Sequence, residues 1–292
     1  MILVTAPTGH IGSQLLDLLL RQDEQVRVII RDPGRLPPSV AGRVQVVQGS
    51  HRDPATTDRA LDGVDQVFWV VPVDNGSPGL FDAYVGFSIP AVDAIVRHRV
   101  SRVVTVSALG RGRQQHAGFV SASLAMDDLF RSTGAHLRSL TMPSFMENLL
   151  WQVGSMKAHG AFFSPISGSL ALPTVATRDV AGVAAALLLD AEWTGQESHG
   201  VLGHEDLSFD EMAAILTDVL RTTIRFHRVE PGAYRDGFLE RGYSPAMAQG
   251  MLDMAMAKDA GIDTDLERNA ANTTPTSFRQ WCEDTLALAF HA

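Results

Sequence analysis

Two hydrophobic patterns alternate through the first 110 residues. Short runs of consecutive aliphatic residues, ILVTA (2–6), QVRVII (25–30), RVQVVQG (43–49), DQVFWVVPV (65–73) and SRVVTVSALG (101–110), read as strands buried on both faces. Between them, HIGSQLLDLLLRQ (10–22) places Ile11, Leu15, Leu18 and Leu19 at helical spacing. PATTDRALDGV (54–64) predicts a short helix with Asp53 as cap, and LFDAYVGFSIPAVDAIVRHRV (80–100) a longer one that must accommodate Pro90. This alternation predicts an α/β fold, a Rossmann-type doubly wound parallel sheet.

The pattern loosens after about residue 150. FSPISGSLALPTV (163–175) reads as loop and short strand, and RDVAGVAAALLLDAE (178–192) as helix. SFDEMAAILTDVL (208–220) opens on a capping box, Ser208 with Glu211, and SPAMAQGMLDMAMA (244–257) on Ser244 and Pro245. The expected division is a dinucleotide-binding domain over 1–150, with elements near 175–205 returning to it. A smaller, mainly helical C-terminal lobe occupies most of 151–292.

Composition narrows the function classes. With 24 Lys and Arg against 33 Asp and Glu the formal charge is −9, and no basic stripe favours nucleic acid. The only cysteine, Cys282, leaves no intramolecular disulfide, and no metal-ligand spacing is found among His199, His204 and His227. Without a leader pattern or an apolar stretch near the ~18 residues of a membrane span, a cytoplasmic protein acting on a small molecule is expected. The sequence leaves its oligomeric state open.

Candidate chemistry starts at VTAPTGHIG (4–12). A strand, then A-x-x-G-x-x-G, then a helix is the context in which backbone N–H groups and the positive helix end hold a pyrophosphate. Gly9 allows close approach and Gly12 lets the helix pack on the sheet, while Ala6 stands where a glycine is usual and is tolerated if its φ stays negative. After the second strand, Arg31 favours a 2′-phosphate by charge and fork geometry, with Asp32 available to a free ribose instead. NADP(H) is therefore preferred and NAD(H) possible.

Beyond this loop, VRVIIRDPGRL, VQVVQGSHRDPATTDRALDGVDQVFWVVP, RVVTVSALG, PSFMENLL, RDVAGVAAALLL and PTSFRQW follow in the order and spacing of NmrA-like proteins. The chain resembles these atypical short-chain dehydrogenase/reductases, and their type 2 NAD(P)H:quinone oxidoreductase branch, over nearly its whole length. The resemblance implies a phosphate loop at Ala6, Thr8, Gly9, His10, Ile11 and Gly12, with the 2′-phosphate arginine at Arg31. It implies cofactor-facing strand ends at Val71, Pro72, Val73 and Ser107, and cleft residues at Phe145, Met146 and Asn148, with Glu147 beside them. Ser50 stands where the family commonly has an aspartate for the adenine amine, so adenine recognition is expected to differ.

The Tyr-x-x-x-Lys pair of ordinary short-chain dehydrogenases, in which the lysine charge lowers the phenol pKa, is missing. Phe119 and Ser123 take its places, both facing substrate by this alignment. Four residues after Tyr84, Tyr234 and Tyr243 come Ser88, Phe238 and Met247, so no other register restores it. His116, in the loop GRGRQQHAGF, is the remaining candidate acid. The expected function is an NADPH-dependent oxidoreductase acting on a quinone-like or conjugated small molecule through positioning of the cofactor. The alternatives are an NAD(P)-sensing regulator without turnover and a non-redox enzyme on a degenerate Rossmann scaffold.

Overall fold

Seven strands form one sheet in this computed structural model, which describes residues 1–113, 115–190 and 192–292. They are β1 (Ile2–Val4), β2 (Val26–Ile30), β3 (Gln45–Gln48), β4 (Gln66–Trp69), β5 (Arg102–Ala108), β6 (His136–Met142) and β10 (Gln196–Gly200). Their spatial order is β10-β6-β5-β4-β1-β2-β3, and β1–β2, β2–β3, β1–β4 and β4–β5 all pair in parallel. Winding outward from β1 in both directions makes this the Rossmann arrangement, with its switch point between β1 and β4. The Leu137 amide donates to Gly195 O (2.9 Å) and the Thr141 hydroxyl to His199 O (3.4 Å), so β10 runs alongside β6 in the same direction.

The sheet belongs to a compact unit formed by Met1–Ala108, Ala122–Thr141 and Val180–His199. Helices α1 (His10–Arg21), α2 (Pro38–Ala41), α3 (Pro54–Leu61), α4 (Phe87–His98) and α5 (Phe119–Arg131) connect successive strands. Asp53 caps α3 as expected, accepting the Thr56 N–H at 2.8 Å. Pro90 lies in the first turn of α4, directly behind a π-helical turn at Asp82–Gly86. The core packs Leu3, Ile29, Val67 and Val103 around Trp69, Phe87 and Phe130. Trp69 Nε1 donates to Ser88 Oγ at 3.0 Å, so the indole is buried with its polar atom satisfied.

A second compact unit comprises Leu109–Ser121, Met142–Asp179 and Gly200–Ala292. The chain therefore enters and leaves each unit several times. Strands β7 (Ser144–Phe145), β8 (Ala161–Ser164), β9 (Leu172–Val175), β11 (Asp206–Leu207) and β12 (Arg225–Arg228) form two small sheets, β11-β9-β7 and β12-β8. The helices are α6 (Val153–His159), α8 (Phe209–Leu220), α9 (Pro231–Glu240), α10 (Pro245–Asp259), α11 (Phe278–Trp281) and α12 (Ala287–His291). Helix α7 (Thr177–Leu189) starts in this unit and continues into the other. The capping box at Ser208 and Glu211 and the Ser244 cap are both formed. Among the described residues no helix is long and apolar enough to cross a membrane.

One buried carboxylate ties the second unit together. Glu147 accepts hydrogen bonds from the Thr177 amide (3.1 Å), the Thr177 hydroxyl (2.8 Å) and Trp281 Nε1 (3.1 Å). It joins the segment after β7, the start of α7 and the C-terminal helices, whose Phe278, Trp281, Cys282 and Leu286 fill the core with Met156, Phe162 and Leu216. Burial pushes the Cys282 thiol pKa up and leaves it an inert packing group. Oε1 accepts all three donors and Oε2 shares the Thr177 amide at 3.1 Å, so replacing Glu147 with Gln removes the charge that holds them and puts an NH2 group where Oε2 meets that N–H. The expected loss is about 1–3 kcal/mol, read as a lower urea midpoint with an unchanged slope.

Candidate cofactor site

Strand β1 ends at Val4, and the backbone must then turn sharply to start α1 at His10. Ala6 makes that turn at φ +48°, in the left-handed region, and its carbonyl accepts the Gly9 N–H at 3.0 Å. The sequence-based condition of a negative φ is not met. The cause is the close seat of α1: a Cβ on Gly12 would stand 2.2 Å from the Ala6 carbonyl oxygen, so helix and turn are in backbone contact. Holding an alanine there costs roughly 1–2 kcal/mol. Thr5 locks the neighbouring strand end. Its hydroxyl donates to Phe68 O (3.0 Å) and accepts the Val70 N–H (2.7 Å), holding the exit of β4 beside the loop.

Helix α1 begins without a side-chain cap and with no acidic residue in its first turn. Gly9, its N-cap, and His10 are exposed, whereas Ile11 and Gly12 are buried against the sheet and Thr8 is half-buried. An uncapped helix end has free N–H donors at its first turn and the positive end of the helix dipole. Arg31, the first residue after β2, is exposed and makes no ion pair among the described residues. Asp32 instead caps the short turn Pro33–Arg35, accepting the Gly34 N–H at 3.0 Å. Free donors, a glycine with no side chain over the loop and an uncommitted guanidinium fit the diphosphate and 2′-phosphate of NADPH.

The other predicted cofactor residues lie in the same unit. Val71, Pro72 and Val73 follow β4 beyond the bonds made by Thr5, with Val71 half-buried against the core and Pro72 exposed. Ser107 is buried near the end of β5. The Ser50 hydroxyl accepts the Arg52 N–H at 3.2 Å within its own turn, after Gly49 at φ +145°, where a Cβ would meet the Thr56 side chain at 2.4 Å.

Of the residues assigned to substrate, Ser123 is buried on α5 in the first unit, 3.5 Å from Ser107 Oγ. Phe119, Phe145, Met146 and Asn148 fall in the second unit. Phe119 is buried, Phe145 half-buried and Asn148 exposed. Met146 is only 2% exposed and packs into the core around Phe162 and Trp281. His116 is 64% exposed, with Nδ1 3.5 Å from the Asp253 carboxylate.

Three residues of this unit were not singled out from sequence as site residues: Thr5, His51 and Asp127. His51 is buried after Ser50, bonded through Nε2 to Val70 O (3.2 Å) and edge-on to Trp69 and Phe87. Burial lowers its pKa to about 4, helped by the nearby Arg31 charge and opposed by the bond to Val70. Asp127 is wholly buried and accepts hydroxyl protons from Thr105 (2.8 Å) and Ser107 (2.5 Å).

Comparison with known proteins agrees with this geometry. Residues 7–191 match the NAD(P)H-binding family, a range that holds the loop from Pro7 onward, Arg31 and strands β2 to β6. The chain belongs to the NAD(P)H-binding family. One relative in it is the (4-alkanoyl-5-oxo-2,5-dihydrofuran-3-yl)methyl phosphate reductase of Streptomyces griseus, 30% identical over 285 residues and 96% of each chain. The NAD(P)H azoreductase of Xenophilus azovorans is 26% identical over 264 residues, 87% of this chain and 86% of that one. In fold, the chain is similar to the NADPH-dependent quinone oxidoreductase of Escherichia coli solved with NADPH. That TM-score is 0.82 at 18% identity, covering 98% of this chain and 100% of that one.

Two tests follow from the loop and from His51. Gly12→Ala should cost about 1–3 kcal/mol by forcing α1 off the Ala6 carbonyl, whereas Ala6→Gly should raise the urea midpoint. Unfolded, His51 takes up a proton near pH 6.5; folded, only near pH 4. Below pH 6.5 the unfolded chain binds more protons, so stability falls toward pH 4 by at most about 3 kcal/mol from this group. The slope of unfolding free energy against pH over that window should shrink in His51→Gln, and an unchanged slope would place the acid sensitivity elsewhere.

Proposed function

We propose that this protein is an NADPH-dependent reductase of electron-poor, conjugated small molecules, working without a Tyr/Lys acid pair. The observation that carries the cofactor choice is the contrast at the end of β2. Arg31 is exposed and makes no ion pair among the described residues, while Asp32 already caps the turn beside it. A guanidinium offers charge-assisted bonds to a 2′-phosphate that a ribose hydroxyl cannot match. The residues to hold the cofactor are the backbone of Ala6, Thr8, Gly9, His10, Ile11 and Gly12, then Arg31, Ser50, Val71, Pro72, Val73 and Ser107.

Bound NADPH supplies a hydride. The rest falls to the chain: orientation of the acceptor, exclusion of water and a source for one proton. Phe119 and Ser123 in place of tyrosine and lysine leave no ionisable pair to polarise an isolated carbonyl. A furanone, an azo group and a quinone, the acceptors in the relatives' names, are electron-poor π systems that take a hydride with little acid assistance. A hydroquinone oxygen has a pKa of about 10 and collects its proton from water or from His116. Substrate contacts are assigned to Phe119, Ser123, Phe145, Met146 and Asn148.

Two measurements test this reading. In calorimetric titration, Arg31→Ala should weaken NADPH roughly tenfold or more and leave NADH within about twofold; equal losses would refute the 2′-phosphate assignment. In steady-state assays with NADPH, a quinone, an azo dye and a butenolide should be turned over while a simple aliphatic ketone is not. Tight NADPH binding with no turnover of any conjugated acceptor would point to a sensor.

A further inference from the structure

The face of α5 that carries Phe119 and Ser123 continues one turn on to Asp127, at i, i+4 and i+8. A carboxylate buried there replaces what would otherwise be an apolar contact between helix and sheet, and such burial is unfavourable unless the group is bonded. Asp127 Oδ1 accepts from Thr105 Oγ1 at 2.8 Å and Oδ2 from Ser107 Oγ at 2.5 Å, both residues of β5. Ser123 Oγ donates toward Ser107 Oγ at 3.5 Å.

The polarity of this cluster has a consequence for Ser107. Both hydroxyls donate, one to each oxygen of the Asp127 carboxyl group. A serine hydroxyl has one proton, and that of Ser107 is directed inward to Asp127. What Ser107 has left to offer is lone pairs. It stands one residue before the carboxyl end of β5, the edge along which ligands gather in open α/β sheets.

We propose that Asp127 is a positioning residue that fixes Ser107 as a hydrogen-bond acceptor for the nicotinamide half of NADPH. Ser107 takes an N–H of the carboxamide or an O–H of the adjoining ribose, and is withdrawn from service as a proton donor. This rests on the reading that the first unit binds NADPH. It also accounts for a carboxylate beneath a site whose usual tyrosine and lysine are absent: the carboxylate orients a hydroxyl and transfers no proton to substrate.

The test is a double-mutant cycle on NADPH binding, with no substrate present. The full chain is titrated with NADPH, following tryptophan fluorescence, as wild type, Asp127→Ala, Ser107→Ala and the double variant, with circular dichroism reporting the fold. Each single change should raise Kd roughly five- to tenfold, and the double variant should be no weaker than either, because both act through one hydroxyl. Multiplying effects, or an Asp127→Ala chain that binds like wild type, would overturn the proposal. Should Asp127→Ala not fold, Ser107→Ala and Thr105→Val decide. Loss in the first with affinity kept in the second supports the proposal, since Thr105→Val leaves the Ser107–Asp127 bond in place; unchanged affinity in Ser107→Ala overturns it. A wild-type chain that fails to bind NADPH overturns the proposed function as well, whereas a binding wild type with an unaffected Ser107→Ala overturns this inference alone.

Discussion

The backbone contact between Gly12 and the Ala6 carbonyl constrains everything built at the head of the sheet. Helix α1 sits on the turn so closely that a Cβ at Gly12 would lie 2.2 Å from that oxygen. The turn answers by taking Ala6 to φ +48°, a conformation glycine would adopt without cost. Thr5 then fastens the β1 exit to the β4 exit, and His51 closes the same region from beneath through Val70 O. The strain at Ala6 is thus held by neighbours on two sides, as a strained functional loop requires.

The same unit keeps a polar group in its interior on the helix that follows β5. Phe119 and Ser123 remove phenol and ammonium from α5, yet Asp127 remains under β5, bonded to Thr105 and Ser107. Its oxygens face hydroxyl donors, so the carboxyl group fixes the orientation of both hydroxyls. On the function proposed above, hydride passes to an acceptor whose own conjugation spreads the incoming charge, and positioning supplies most of what that reaction needs.

Much of this was legible in the chain. Consecutive aliphatic strands and amphipathic helices announced the doubly wound sheet, and the caps at Asp53, Ser208 and Ser244 formed where their side chains predicted. The second unit was harder because its strands are short: RFHR at β12 carries one apolar residue, and its pairing with β8 depends on tertiary context. Met146, placed beside the cleft by the family resemblance, is buried in the core of the second unit, a packing that the sequence alone does not show. Asp127 could have been found, since it interrupts the buried face marked by Ser123, Met126 and Phe130. The φ of Ala6 and the role of Thr5 could not, because both arise from where α1 and β4 pack.

The most direct test of the account is hydride tracing. The protein is mixed with NADPH deuterated at the transferable position of C4 and a conjugated acceptor, and the product is analysed by mass spectrometry. The account predicts one deuterium on a carbon of an acceptor reduced at carbon; where the hydride ends on oxygen or nitrogen and the label exchanges with water, as for a quinone or an azo group, it predicts instead a primary isotope effect on NADPH oxidation. NADPH that binds tightly but is never oxidised, with the acceptor recovered unchanged, would contradict it.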